Sequence, residues 1–161
     1  LDTWTAAPVP AWIALAALAV ALAVSVATDL RSRRILNAVT YPALAVVAGC
    51  VLWLGGLPLL LQAGLGALAC AAPLAFAMWR GWMGAGDVKL MALAGLVAAT
   101  AAGWPLAVTV LVYVAIAGGV QALVWAAIAR ARGLERPRTI PYALAIAAGS
   151  IPAFVSGLAL F

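Results

Sequence analysis

Two carboxylates stand where a carboxylate is costly. Asp29 closes the first long apolar run of this 161-residue chain, and Asp87 opens a later one behind the turn Gly84-Ala85-Gly86. The chain has only two other acids, Asp2 and Glu135, and no histidine at all. Histidine-based triads and histidine-ligated metal sites are therefore excluded, and acid–base chemistry falls to Asp, Arg, Lys, Tyr, Ser or Thr. A pair of aspartates suits hydrolysis: one takes a proton from water while the other protonates or polarises the scissile carbonyl. In a shared site their mutual repulsion splits the titration, so that one carboxyl keeps its proton near neutrality.

Bringing these two residues together is a task for a membrane bundle. Hydrophobic residues make up 68% of the chain and charged ones 8%, and the mean hydropathy is +1.20. Those values lie outside the soluble range. Six apolar runs, at residues 11–28, 38–54, 57–79, 88–103, 105–129 and 140–161, approach the length of a crossing. They predict an all-α integral membrane protein, a six-transmembrane-helix bundle in a single domain over 1–161. All nine basic residues fall in three alternate links, around Arg31–Arg34, Arg80–Lys89 and Arg130–Arg138. The links at Gly55-Gly56 and Gly103-Trp104 have none, so the charged links are expected in the cytoplasm and both termini outside. Grouped in this way, the positive charge reads as topology and contact with anionic lipid headgroups, not as a nucleic-acid surface.

Tryptophans agree with this orientation. Trp12, Trp53 and Trp104 fall at expected outer ends, and Trp79, Trp82 and Trp125 at inner ends. The first run has no basic segment ahead of it, so it is expected to be retained and not cleaved. The start at Leu1 is expected of a processed or engineered terminus. Small-residue stretches such as Gly64-Leu65-Gly66-Ala67 and Gly118-Gly119 read as close helix packing. Pro42, Pro73 and Pro152 read as kinks. Cys50 and Cys70 lie inside apolar runs and read as packing residues.

With this topology Asp29 and Asp87 reach the same cytoplasmic boundary. Each has a simpler explanation beside the catalytic one. Asp87 after a Gly-rich turn is also a natural helix N-cap. Asp29 could pair with Arg31, Arg33 or Arg34, although near a helix C-terminus it opposes the macrodipole. Helix polarity alone predicts Asp87 as the base and Asp29 as the acid. Gly84 and Gly86 permit a tight turn and close approach of a substrate backbone. Lys89 could orient a carboxylate or substrate, or anchor at the headgroups.

Three stretches resemble the type IV prepilin leader peptidases, membrane aspartic proteases of the G-x-G-D group. Gly84-Ala85-Gly86-Asp87-Val88-Lys89-Leu90 is similar to that family's second catalytic motif. Thr28-Asp29-Leu30-Arg31-Ser32-Arg33-Arg34-Ile35-Leu36-Asn37 is similar to the first, in which the acid precedes a basic stretch and a hydrophobic-x-Asn element. The segment from Ile140-Pro141-Tyr142 to Gly149 resembles the opening of the family's last helix. The resemblance implies Asp29 and Asp87 as the catalytic pair. Arg31, Asn37, Gly84, Gly86, Lys89, Pro141 and Tyr142 are then motif or substrate-positioning residues. It implies a pilin-like precursor as partner, whose short basic leader is cut at the cytoplasmic face of the inner membrane, usually after a Gly. The link after Asp29 has no cysteine pairs of the kind that bind zinc in larger members, so neither metal nor cofactor is expected. The short form is similar to the peptidases of Flp pilus systems, the favoured resemblance, or to the archaeal preflagellin peptidases.

Two other readings stand beside it. A presenilin or signal-peptide-peptidase type of intramembrane protease would carry Tyr-Asp at the first acid and more spans. A small transporter or secretion-system subunit would hold its acids nearer the membrane midplane, flanked by broken helices.

Overall fold

The computed structural model describes residues 8–133 and 141–159. The acids Asp2 and Glu135, the basic residues Arg136 and Arg138, and Ile140 of the third motif lie outside the described residues. The described residues form four helices: α1 (Val9–Ser32), α2 (Asn37–Trp79), α3 (Ala85–Ala131) and α4 (Tyr142–Ala159). The first three are long and apolar enough to cross a membrane, and α4 is a shorter apolar helix over Tyr142–Ser156.

Helices α2 and α3 each fold back on themselves. Ile35, just ahead of α2, and Ala77, near its end, line one cavity. A straight helix between them would hold them roughly 60 Å apart. Asp87 and Gly118 of α3 line the same cavity, where straight α-helix would separate them by roughly 45 Å. The reversals have one local design, a small residue followed by Gly-apolar-Pro: Gly55-Gly56-Leu57-Pro58 and Ala102-Gly103-Trp104-Pro105. Their backbones nearly superpose, with φ/ψ of −153/18 then 63/−159 degrees at Gly55-Gly56 and −145/22 then 71/−160 degrees at Ala102-Gly103. The second conformation is open to glycine and almost nothing else, and the proline that follows suits the first turn of the next helical limb. Both breaks fall where the second and fourth apolar runs were expected to end.

The limb at 85–101 is the centre of the bundle. Nine of its residues in sequence, from Leu90 and Met91 to Val97, Ala98 and Ala99, are buried with only Ala92 less so. A helix buried all round must be enclosed by the others. Small residues let its neighbour approach: a Cβ on Gly95 would lie 2.7 Å from Cβ of Cys70, and one on Gly66 would collide with Cβ of Ala99. These contacts run in opposite sequence directions, so the second limb of α2 is antiparallel to the first limb of α3. Cys70 also donates its thiol to the Ala107 carbonyl at 3.2 Å, which ties in the second limb of α3. Pro42, Pro58 and Pro73 sit within α2 without leaving helical φ/ψ, since only the glycine pair does so.

Candidate active site

Asp29 reaches the interior on an apolar stripe. The buried residues of α1 are Pro10, Ala14, Leu18, Ala21, Leu22, Ser25 and Asp29, a spacing of three and four that marks one helix face. The carboxylate is the last member of that face and is 7% exposed. The helix then continues to Ser32 and stops at Arg33, a left-handed residue with φ 55° whose N–H bonds the Asp29 carbonyl. Asp29 is therefore a turn inside α1 and not at its end, as the expected limit of 28 had placed it. Its Oδ2 accepts the backbone N–H of Ala143 at 3.1 Å, in the first turn of α4. The amide end of a helix thus faces Asp29 as well as Asp87, and helix polarity does not separate the two acids into base and acid as the sequence alone predicted.

Asp87 is delivered by a Schellman ending and a fresh helix start. Helix α2 ends with Gly81 left-handed at φ 76°; the Gly81 N–H bonds the Met78 carbonyl and the Trp82 N–H the Ala77 carbonyl, both at 2.9 Å. After the short link through Met83, α3 begins behind Gly84, three residues earlier than the expected start at Val88. Asp87 occupies the third helical position, and its Oδ2 accepts the Gly84 N–H at 3.2 Å. The capping explanation is thus realised in a modified form: the acid back-bonds the cap residue instead of being the cap. No other hydrogen bond reaches either carboxylate among the described residues, so each has one oxygen held by a backbone amide and one left over. No ion pair joins Asp29 to Arg31 or Arg34 among the described residues, and the Arg33 guanidinium lies 5.7 Å from the ring centre of Trp125.

Both carboxylates line one cavity of about 550 Å³. Its floor is glycine and apolar surface: Gly84, Gly86 and Gly118, with Ile35, Ala77 and Met83. Polar character comes from Asp29, Asp87, Tyr142 and Arg33. Gly86 is required by sterics, because a Cβ there would sit 2.6 Å from Cβ of Ile35. Such a space can admit an extended backbone and a water, with two carboxylates to move protons.

The remaining motif residues have other places. Asn37 and Lys89 bond each other, Nζ to Oδ1 at 2.8 Å, with Nζ also 4.5 Å from the Tyr41 ring centre. They do not line the cavity; they clamp the start of α2 to the second turn of α3, two residues from Asp87. Arg31 is exposed in the last turn of α1, outside the cavity wall. Pro141 is buried, and its carbonyl accepts Nε2 of Gln121 at 2.7 Å. Sequence reasoning missed Gly118, Ala122 and Arg33 as wall residues. Gly118 belongs to a Gly-Gly pair read as helix packing, and nothing local distinguishes a glycine that packs a helix from one that admits a ring.

The fold and the site define a class: an apolar helical protein that carries two carboxylates in one cavity between helix ends. Residues 16–123, two thirds of the chain, match the model of the type IV leader peptidase family. The chain belongs to that family. The match includes both aspartates and stops short of Tyr142. No curated protein and no solved structure matches the chain.

Proposed function

We propose that this chain is an aspartic endopeptidase that removes the short basic leader of type IV prepilin-like precursors. Asp29 and Asp87 together activate the attacking water. The observation that carries this reading is the meeting of both carboxylates, from α1 and α3, in one cavity. The six helical limbs act as six crossings of the inner membrane, with the basic links in the cytoplasm, both termini outside and the cavity at the cytoplasmic boundary. A pilin precursor held by its apolar helix in the bilayer would present its leader junction at that depth. The lack of any cysteine between Asp29 and α2 supports the short, Flp-type form without bound metal.

In this reading the carboxylate without a proton takes one from water as the oxygen attacks the scissile carbonyl. The carboxyl that holds a proton gives it to the departing amine. Backbone bonds from Ala143 and Gly84 fix one oxygen of each acid and so aim the other. Family membership favours the leader-peptidase reading over the presenilin-like one, and the transporter reading has no observation in its favour. The test is co-expression with a prepilin, leader removal being followed by gel shift, for the unaltered chain and for Asp29→Asn and Asp87→Asn. Cleavage is expected only with both aspartates present; processing that survives either change removes the aspartic mechanism.

A further inference from the structure

Tyr142 adds a hydroxyl to the cavity wall, and among the described residues that donor has no partner. The residue is half-buried and lines the cavity with Asp29 and Asp87. The ring lies against Gly118 so closely that a Cβ there would be 2.5 Å from Oη and 2.6 Å from Cε2. Glycine at 118 is thus what lets the phenol occupy this position. No hydrogen bond from the hydroxyl reaches any described residue, and the half-buried ring leaves it open to the cavity. A donor in the wall of the cavity that holds both carboxylates, bonded to no described residue, is open to a ligand.

The backbone on either side holds the ring in place. Gln121 of α3 grips the Pro141 carbonyl at 2.7 Å, and the Ala143 N–H grips Asp29 at 3.1 Å. Tyr142 is therefore fixed relative to one catalytic acid by a single residue of chain and to the α3 wall by the other bond. Preorganised donors of this kind act where charge develops in the transition state.

We propose that the Tyr142 hydroxyl is the donor that stabilises the oxyanion formed from the scissile carbonyl; this rests on the aspartic-peptidase reading above. The water oxygen bonds to the carbonyl carbon as one carboxylate takes the water proton, and the carbonyl π pair moves onto oxygen. Tyr142 donates a hydrogen bond to that oxygen and keeps its proton. On collapse the pair returns, the C–N bond breaks, and the amine leaves with the proton of the other carboxyl.

The test is steady-state cleavage of a type IV prepilin, with a short basic leader ending in Gly, by the purified full-length chain in detergent. Tyr142→Phe is expected to lower kcat by about 10²–10³-fold with KM changed by less than about twofold. Gly118→Ala, which pushes the ring aside, is expected to lower kcat in the same sense with Tyr142 still present. A fluorinated tyrosine at 142 keeps the ring and loses its phenolic proton at lower pH, so the alkaline limb of the kcat profile is expected to move down. The proposal is overturned if Tyr142→Phe retains kcat within about threefold, or if its loss resides in KM alone. Should Tyr142→Phe not fold, the fluorinated variant decides, and an unmoved alkaline limb overturns the proposal. Cleavage that survives Asp29→Asn or Asp87→Asn overturns the aspartic reading itself, a result separate from any at Tyr142.

Discussion

Gly84 and Gly86 look alike in sequence, yet the structure gives them different jobs, and alanine at each tells them apart. Helix propensity alone would make Gly86→Ala stabilising by about 1 kcal/mol. Sterics reverse the sign. The new Cβ would stand 2.6 Å from Cβ of Ile35, with Cγ2 at 3.3 Å and Cγ1 at 3.4 Å, and a Cβ cannot swing away as the end of a long side chain can. Restoring ordinary contact moves the first turn of α3 away from the α1–α2 link by about 0.8 Å, and a misplacement near 1 Å costs about 10²-fold in rate. Asp87 is the next residue and moves with that turn. At Gly84 a Cβ would meet Oδ2 of Asp87 at 3.5 Å, an ordinary contact, and the backbone there is extended at φ −86°, ψ 154°. Single-turnover leader removal is therefore expected to fall about 10²-fold in Gly86→Ala and to stay within about threefold in Gly84→Ala. Adding Ile35→Gly, which deletes the opposing Cβ, is expected to restore most of the loss. Equal damage at the two glycines, or no rescue by Ile35→Gly, would refute this steric account.

Lys89→Met and Asn37→Ala are each expected to lower stability by about 1 kcal/mol and to slow cleavage severalfold without raising KM, since the bond between them positions Asp87. Their double variant should be little worse than either single one, a coupling measured by thermal melting and cleavage together. Gly95→Ala, aimed at Cβ of Cys70 2.7 Å away, is expected to cost about 1–3 kcal/mol of stability in detergent. Gly49→Ala and Gly64→Ala, with open space around both inside α2, should melt no lower than the unaltered protein and be up to about 1 kcal/mol more stable. Gly103→Ala places a side chain at φ 71° and is expected to lose about 1–3 kcal/mol through backbone strain.

The apolar runs and their breaks are legible because each run ends at glycine after about a membrane's thickness of helix, although the Gly-apolar-Pro design of the reversals emerges only from the backbone. The end of α1 was less legible. The sequence limit was drawn at the first charge, but Asp29, Leu30, Arg31 and Ser32 are all compatible with helix, and the stop comes from Arg33 turning left-handed. Asp29 could be recognised as unusual but not as the end of a buried stripe that meets α4, since that depends on a partner 114 positions away. Lys89 and Asn37 were recognised only as motif members; their mutual bond spans 52 positions and has no local trace. Only resemblance marks Tyr142 in the sequence, and Gly118, which makes room for its ring, reads there as a packing glycine. Pairings between distant helices create the site, and periodicity carries no information about them.

The most direct measurement of the central claim is kcat for prepilin cleavage by Asp29→Asn, Asp87→Asn and the double variant. If both acids work on one water in one cavity, each single change should remove activity on the order of 10³-fold or more, and the double should be no worse than the more damaging single. Asparagine can still accept the amide bonds from Ala143 and Gly84, so such losses would report chemistry and not collapse of the site. Losses that multiply in the double variant, or a single variant with near-normal kcat, would contradict the shared site.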